Sequence, residues 1–268
     1  MSAVDDLAGE LLALATTLAA DAALLLLDGL DRHRVEVSTK SSPTDMVTEI
    51  DRASEALIVA GIRAARPQDG IVGEEGADHP GTSGVRWLID PVDGTTNYVY
   101  AFPGFAVSIA AEYDGETIAG VVHDPMHRDV YAAARNGGAT RNGEPIHAST
   151  NDDLTTALVG TGFSYEPARR LRQAHVLTQV LPHIRDIRRM GAAAVDLCSV
   201  ACGRLDAFYE RGLGPWDLAA GALIAQEAGA RVGDLDGGPA SGHFALASAP
   251  GLFDPLRALL DTAGAGTA

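Results

Sequence analysis

The chain of 268 residues is poor in cysteine, aromatics and basic groups. It has two cysteines, 5% aromatic residues, and 20 Lys+Arg against 36 Asp+Glu, a formal net charge of −16. Each shortage excludes something. Two cysteines make no disulfide framework, and Cys198 and Cys202, four apart in an apolar stretch, read as small core residues in a reducing cytoplasm. A partner of the nucleic-acid polymer class is excluded, because phosphate contacts along a duplex need clustered Lys and Arg. Neither Gly-x-x-x-x-Gly-Lys nor Gly-x-Gly-x-x-Gly occurs, which argues against P-loop hydrolases and Rossmann dehydrogenases. His123 and His127 are four apart but straddle Pro125, so no helical zinc pair is expected. The apolar stretch over residues 7–30 is interrupted by Glu10, Asp21 and Asp28, with no basic segment before it. It reads as an amphipathic helix packed on the domain, neither a membrane span nor a secretion signal, in a cytoplasmic protein.

What is present is ordinary for a soluble fold: 46% hydrophobic and 21% charged residues, enough chain for one large domain or two small ones. After a turn-rich segment at 35–45, an apolar period near 3.6 over 47–65 gives a second opening helix. Short Val-, Ile- and Tyr-rich runs at 70–72, 85–89, 106–113, 117–123 and 129–133 read as strands. Asp114-Gly115 marks a tight hairpin and 124–128 a longer turn, so an antiparallel sheet is expected. Beyond residue 150, strands at 157–161, 184–188 and 207–209 alternate with helices at 168–181, 192–202 and 215–228, a second α/β layer system. A glycine-rich loop at 236–242 and an unstructured tail at 263–268 complete the reading. The halves 1–150 and 151–268 are expected to pack as one unit.

Chemistry concentrates where apolar strands run into acids. Trp87-Leu88-Ile89-Asp90-Pro91-Val92-Asp93-Gly94-Thr95-Thr96-Asn97 is an apolar strand ending in two carboxylates and then Gly-Thr. Two hard-oxygen acids three apart suit Mg²⁺, and if Thr95 begins a helix, the N–H groups of Gly94 and Thr95 suit a phosphate. An ordinary Asx-type turn would look the same. Ile71-Val72-Gly73-Glu74-Glu75-Gly76 is a second strand ending in acids, and Gly214-Pro215-Trp216-Asp217 places Asp217 in a first helical turn, where a helix dipole alone would favour it. Asp51, within Glu49-Ile50-Asp51-Arg52, would by itself be a helix-start acid. A haloacid-dehalogenase-type phosphatase needs Asp-x-Asp, and the residue two after Asp90 is Val92.

Taken in order, these elements resemble the inositol monophosphatase family of magnesium-dependent, lithium-sensitive sugar phosphatases. The resemblance rests on 87–97, on Trp216-Asp217-Leu218-Ala219-Ala220-Gly221, on Gly73-Glu74-Glu75, and on Lys40-Ser41-Ser42-Pro43-Thr44-Asp45 with Thr48-Glu49-Ile50-Asp51. It implies a layered αβαβα sandwich, of mixed α+β and α/β character, and a homodimer. It also implies that Glu74, Asp90 and the Val92 carbonyl hold one Mg²⁺, and that Asp90, Asp93 and Asp217 hold a second. Gly94 and Thr95 would present N–H groups to phosphate, and Thr95 with Asp51 would orient the attacking water. Asp93, Ala193 and Glu210 would contact the polyol of a small phosphate monoester, with myo-inositol monophosphate the first candidate. Fructose bisphosphate, histidinol phosphate and a nucleotide bisphosphate are the alternatives. The family's Gly-Thr-Ala-Ala element reads Gly191-Ala192-Ala193-Ala194 here, and Arg188 and Arg189 just upstream could hold a second phosphate or lie on a surface.

Overall fold

The computed structural model describes residues 3–31, 37–39 and 46–268. The Lys40 to Asp45 part of the sequence pattern lies outside the described residues. A 29-residue helix, α1 (Ala3–Asp31), opens the chain. The strands β1 (Val37–Thr39) and β2 (Met46–Thr48) pair antiparallel, and α2 (Glu49–Ala65) follows. The helix expected from residue 47 thus begins two residues later. Val47 and Thr48 are β-branched and suit a strand, while Glu49 and Asp51 supply the first-turn acids that a helix N-terminus favours.

The first sheet contains β3 (Gly70–Gly73), β4 (Asp78–His79), β5 (Val85–Asp93), β6 (Ala106–Tyr113), β7 (Glu116–Asp124), β8 (Asp129–Ala134), β9 (Ala139–Arg141) and β10 (Glu144–Pro145). Its order is β10-β9-β8-β7-β6-β5-β3-β4. From β5 onward the pairing is antiparallel, as the hairpin signals imply, and Asp114 (φ 51) and Gly115 (φ 84) both adopt the left-handed conformation of a tight turn. The β3–β5 pair is parallel, which corrects the all-antiparallel expectation: short β4 takes the edge, and the chain returns to start β5 beside β3. A short helix, α3 (Thr95–Val99), leaves the end of β5.

The second sheet contains β11 (Leu158–Thr161), β12 (Asp186–Arg188), β13 (Ala207–Glu210), β14 (Arg231–Gly233) and β15 (Ala245–Ser248), in the order β12-β11-β13-β15-β14. Its helices are α4 (Pro167–Val180), α5 (Ala193–Ala201), α6 (Pro215–Glu227) and α7 (Phe253–Thr262). β14, β15 and α7 had no counterpart in the sequence reading. The tail expected to be unstructured instead folds back through a 3-10 turn, with Ala265 and Ala268 buried beside Leu256 and Leu260. Small apolar side chains can be buried without any periodic signal, so this was not legible.

Three hydrophobic cores bind five layers together, the middle one enclosing the helices between the sheets. On one face of the first sheet, Leu11, Leu26, Ile58 and Ile62 of α1 and α2 pack with Trp87, Ile89 and Ile109. Between the sheets, Leu197, Ile224 and the alanines of α5 and α6 meet Leu88 and Val122 on one side and Phe208 and Ala247 on the other. Beyond the second sheet, Val176, Leu256 and Leu260 of α4 and α7 cover Val159 and Leu246. Successive residues of β5 thus enter different cores, as a pleated strand requires. The order α, β, α, β, α is the layered sandwich. Helix α1 has the length and apolarity of a membrane-crossing helix. Its Leu11, Ala15, Ala19, Ala22 and Leu26, at helical spacing, are completely buried. Cys198 is buried, Cys202 partly so, and both are free thiols.

Candidate active site

β5 carries its acids out of the core between α2 and the interlayer helices. It is buried along nearly its whole length, so Asp90 and Asp93 project from a rigid mount, and a register shift between them against β6 turns the strand end. The Asp90 carboxylate accepts from the Val92 N–H at 3.0 Å. Glu74 follows β3, where its N–H donates to the Ile89 carbonyl at 3.0 Å and holds it beside the same strand end. Gly94 caps α3 with φ 91, and a Cβ there would stand 3.0 Å from the Gly104 carbonyl and 3.1 Å from the Ala192 Cβ. Only glycine fits, and its absence of side chain lets the two halves of the site touch.

Tertiary bonds lock this motif to distant segments. Thr95 Oγ1, buried at 8% exposure, donates between Asp51 Oδ1 and the Val92 carbonyl, each at 3.1 Å. Asp51 sits in the first turn of α2, but its bond to Thr95 gives it a role beyond that of a helix-start acid. The Asp93 oxygens accept the N–H groups of Ala193 at 3.1 Å and Ala194 at 2.7 Å, so Asp93 caps α5 across the layer boundary. The Ala193 amide is therefore taken by Asp93, and what Ala193 presents to the cavity is the rest of its surface. Asn97 Nδ2 donates to the Gly104 and Met190 carbonyls at 2.6 and 2.8 Å, a tether the sequence reading missed. Asp217, third residue of α6, accepts from the Gly214 N–H at 2.7 Å, so the helix-start reading holds for it as well.

Glu74, Asp90, Val92, Asp93, Gly94 and Thr95 line one cavity of ≈ 160 Å³, together with Ala193, Glu210 and Asp217. Asp51 stands behind Thr95. Burial, then the charges of Glu74, Asp93 and Asp217, push the Asp90 carboxyl well above the ordinary carboxylate range. Burial, then Asp217, raise Asp93 likewise, against the opposing bond from Ala194. Glu210, at the end of β13, is pushed up to about 7 by burial and Asp217, with Arg189 and Arg169 pulling the other way. Such mutual repulsion among buried acids is what a divalent cation relieves, and an all-oxygen donor set suits Mg²⁺ rather than a soft metal. No three His, Cys, Asp or Glu among the described residues are already closed around one point, so the acids share the cavity without forming a finished cage.

The sequence reading also missed Asp196, buried in α5 with Oδ1 lacking a hydrogen-bond partner. Burial, then Glu210 and Asp93, raise its carboxyl. Arg169 lines the cavity too, and nothing in its run of arginines distinguishes it. Of the two arginines singled out, Arg188 bonds Asp186 and the Ile187 carbonyl at the sheet edge, each at 2.7 Å, whereas Arg189 lines the cavity.

Fold and cavity together define a five-layered protein whose acidic site opens where its two sheets meet. The chain belongs to the inositol monophosphatase family, whose model matches residues 8–263. It is 49% identical over 236 residues to the inositol-1-monophosphatase SuhB of Mycobacterium tuberculosis, covering 84% of this chain and 81% of that protein. It is 44% identical over 206 residues to the Nus factor SuhB of Escherichia coli, covering 76% and 77%. Among solved structures, the extragenic suppressor protein suhB of Bartonella henselae superposes with a TM-score of 0.89 at 33% identity, over 94% of this chain and 98% of that one.

Proposed function

We propose that the chain is a Mg²⁺-dependent phosphomonoesterase that hydrolyses myo-inositol monophosphate to inositol and phosphate by direct attack of water. The observation that carries this reading is the convergence of five carboxylates, Glu74, Asp90, Asp93, Glu210 and Asp217, with the Gly94-Thr95 turn on one cavity, where Asp51 bonds Thr95 from behind. Glu74, Asp90, the Val92 carbonyl, Asp93 and Asp217 would hold Mg²⁺, which when bound neutralises phosphate charge and makes its water acidic enough to attack at neutral pH. With the single Thr95 hydroxyl proton turned to Asp51, the Val92 carbonyl lone pairs are left for an ion.

Asp51 accepts the Thr95 hydroxyl proton, which leaves the Thr95 oxygen lone pairs to receive a hydrogen bond from the attacking water. Gly94 and Thr95 N–H groups bind the phosphate oxygens. The leaving polyol is contacted by Glu210, Asp93 and Ala193. The family resemblance supports lithium sensitivity and a homodimer, and the packing of α1 into the core supports a cytoplasmic protein.

Phosphate release from inositol 1-phosphate, assayed with and without Mg²⁺, tests this directly. Metal-dependent release is expected, faster than from histidinol phosphate or adenosine 3′,5′-bisphosphate. Comparable rates on all three would remove the inositol preference, and an acid-stable phosphoaspartyl enzyme would replace the mechanism. Light scattering of the eluted protein checks the dimer.

A further inference from the structure

Behind Glu210 lies a second carboxyl that the proposed chemistry does not use. In the parallel pair of β11 and β13, Gly160 stands beside Phe208 and Thr161 beside Tyr209, so the pairing carried one residue past β11 sets Gly162 beside Glu210. Residues two apart share a face of a strand, which puts Gly160, Gly162, Phe208 and Glu210 on one side. Phe208 belongs to the core between the sheets, so that side faces α5. Each glycine makes room for an acid. A Cβ at Gly160 would stand 3.0 Å from Asp196 Oδ1, and one at Gly162 would overlap the Glu210 carboxyl. The two carboxyls thus occupy the places of successive side chains on one strand face.

Asp196, in α5, is 1% exposed and stands behind the cavity lining to which Glu210 belongs. Its Oδ1 has no hydrogen-bond partner. An ionised carboxylate is not held in that state, whereas a protonated carboxyl is, and it carries an O–H to donate. The charged groups that act on Asp196 are Glu210 of β13, Asp93 of β5 and Arg189 ahead of α5. Burial first, then Glu210 and Asp93, push its carboxyl well up, against Arg189. Arg189 and Arg169 both favour an ionised Glu210. Of two acids in one buried space, one keeps its proton, and the fully enclosed Asp196 is the one that does. The pair then consists of a donor and an acceptor.

We propose that Asp196 is a positioning residue for polyol recognition: acting as a donor across the space left by Gly160 and Gly162, it holds the Glu210 carboxylate turned to the leaving alcohol. Asp196 itself does not touch the substrate. Each Glu210 oxygen has two acceptor sites, so a bond from behind leaves the others for substrate hydroxyls. The inference rests on the phosphatase reading of the cavity and on Glu210 as its polyol contact.

Asp196→Ala and Asp196→Asn make the matched variants, because asparagine is neutral, has the shape of a protonated aspartate and keeps a donor, while alanine has none. With Mg²⁺ present, KM for inositol 1-phosphate is expected to rise about tenfold in Asp196→Ala with kcat little changed, and to stay within about twofold in Asp196→Asn. Methyl phosphate has no ring hydroxyl for Glu210, and its KM should move in neither variant. On a Glu210→Gln background, Asp196→Ala should add nothing. An unchanged KM in Asp196→Ala, an equal rise for both esters, or an Asn variant as impaired as the Ala variant overturns the proposal. Infrared difference spectra between the metal-loaded protein and Asp196→Asn need neither turnover nor a folded Asp196→Ala. A protonated-carboxyl band at neutral pH is expected, and its absence overturns the donor. Titration calorimetry of inositol 1-phosphate with Ca²⁺ in place of Mg²⁺ separates this inference from the reading beneath it. Weaker binding in Asp196→Ala, with no phosphate released by the unmodified protein, keeps the positioning role and sinks the phosphatase reading. Release and binding that Asp196→Ala leaves unaltered do the reverse.

Discussion

The carboxylate of Asp93 accepts the backbone N–H of Ala194 at 2.7 Å, across 101 positions of sequence. This bond joins the acidic end of β5 in the first sheet to the start of α5, the helix between the sheets. It makes the acidic motif and the opposite cavity wall one mechanical unit, so that a substrate spanning both meets a preset geometry. Asn97 reinforces the same junction through the Met190 carbonyl.

Asp93→Asn should abolish most phosphate release while leaving the far-ultraviolet circular dichroism intact. The amide keeps one acceptor but turns an NH₂ toward one of the two N–H groups of Ala193 and Ala194. The lost bond costs about 1 kcal/mol, and Asp93→Ala, which leaves both donors unpartnered, should melt lower still. Full activity in Asp93→Asn would refute the metal assignment.

Metal removal should make stability depend on pH. The folded-state pKa values of Asp90 and Asp93 lie well above ordinary, through burial first and neighbouring acids next. Between the unfolded carboxyl pKa of about 4 and the raised folded value, the folded state holds more protons, so stability falls as pH rises through that window. Thermal melts in EDTA should therefore decline with increasing pH from about 4 upward. Added Mg²⁺ should flatten that decline. Melts in EDTA that rise over the same range would contradict the clustered acids.

Thr95→Ala removes the hydroxyl that Asp51 holds. The expected loss in kcat is roughly 10²-fold or more, in the range of positioned proton-handling groups. Thr95→Ser should recover most of it, because the oxygen returns. Steady-state kinetics on both variants separates this role from a packing role, in which serine would rescue little.

Glu210, with its carboxyl pushed up to about 7, is protonated below that pH and ionised above it. An ionised Glu210 accepts hydrogen bonds from substrate hydroxyls at both oxygens, so KM for inositol 1-phosphate should fall as pH rises and Glu210 ionises, with the step displaced below 7 once bound Mg²⁺ offsets the Asp217 charge. In Glu210→Gln the KM should rise and that pH step should vanish. A persisting step would assign the titration to another group.

Gly94→Ala forces a φ of 91 on alanine and drives its Cβ to 3.0 Å from the Gly104 carbonyl. The strain and overpacking together should cost about 2 kcal/mol or more. Differential scanning calorimetry should show a clearly lower Tm, with activity reduced because Thr95 shifts with the turn.

The local elements were legible because their signals are local. β6 spans the same residues as its apolar run, and the turn at Asp114-Gly115 follows from two residues that tolerate positive φ. The parallel partner of β5 was not legible, since nothing in residues 70–73 records which edge the returning chain will choose. Short β14 and β15, with alanine and glycine among their few residues, carry too weak a pattern to be seen alone.

For the site, the amino-acid order carried the motifs around Glu74, Asp90, Asp93 and Asp217 whose resemblance to the inositol monophosphatase family groups them, while each acid taken singly fits an ordinary turn or helix start. Only the tertiary structure decided what each group touches. It gave Asp51 to Thr95, took the Ala193 amide for Asp93, set Arg188 at a sheet edge, and left Arg169 in the cavity wall with an unsatisfied N–H. Those outcomes depend on the packing of two sheets around α5 and α6, which the residues express together through burial and backbone bonding and none expresses alone.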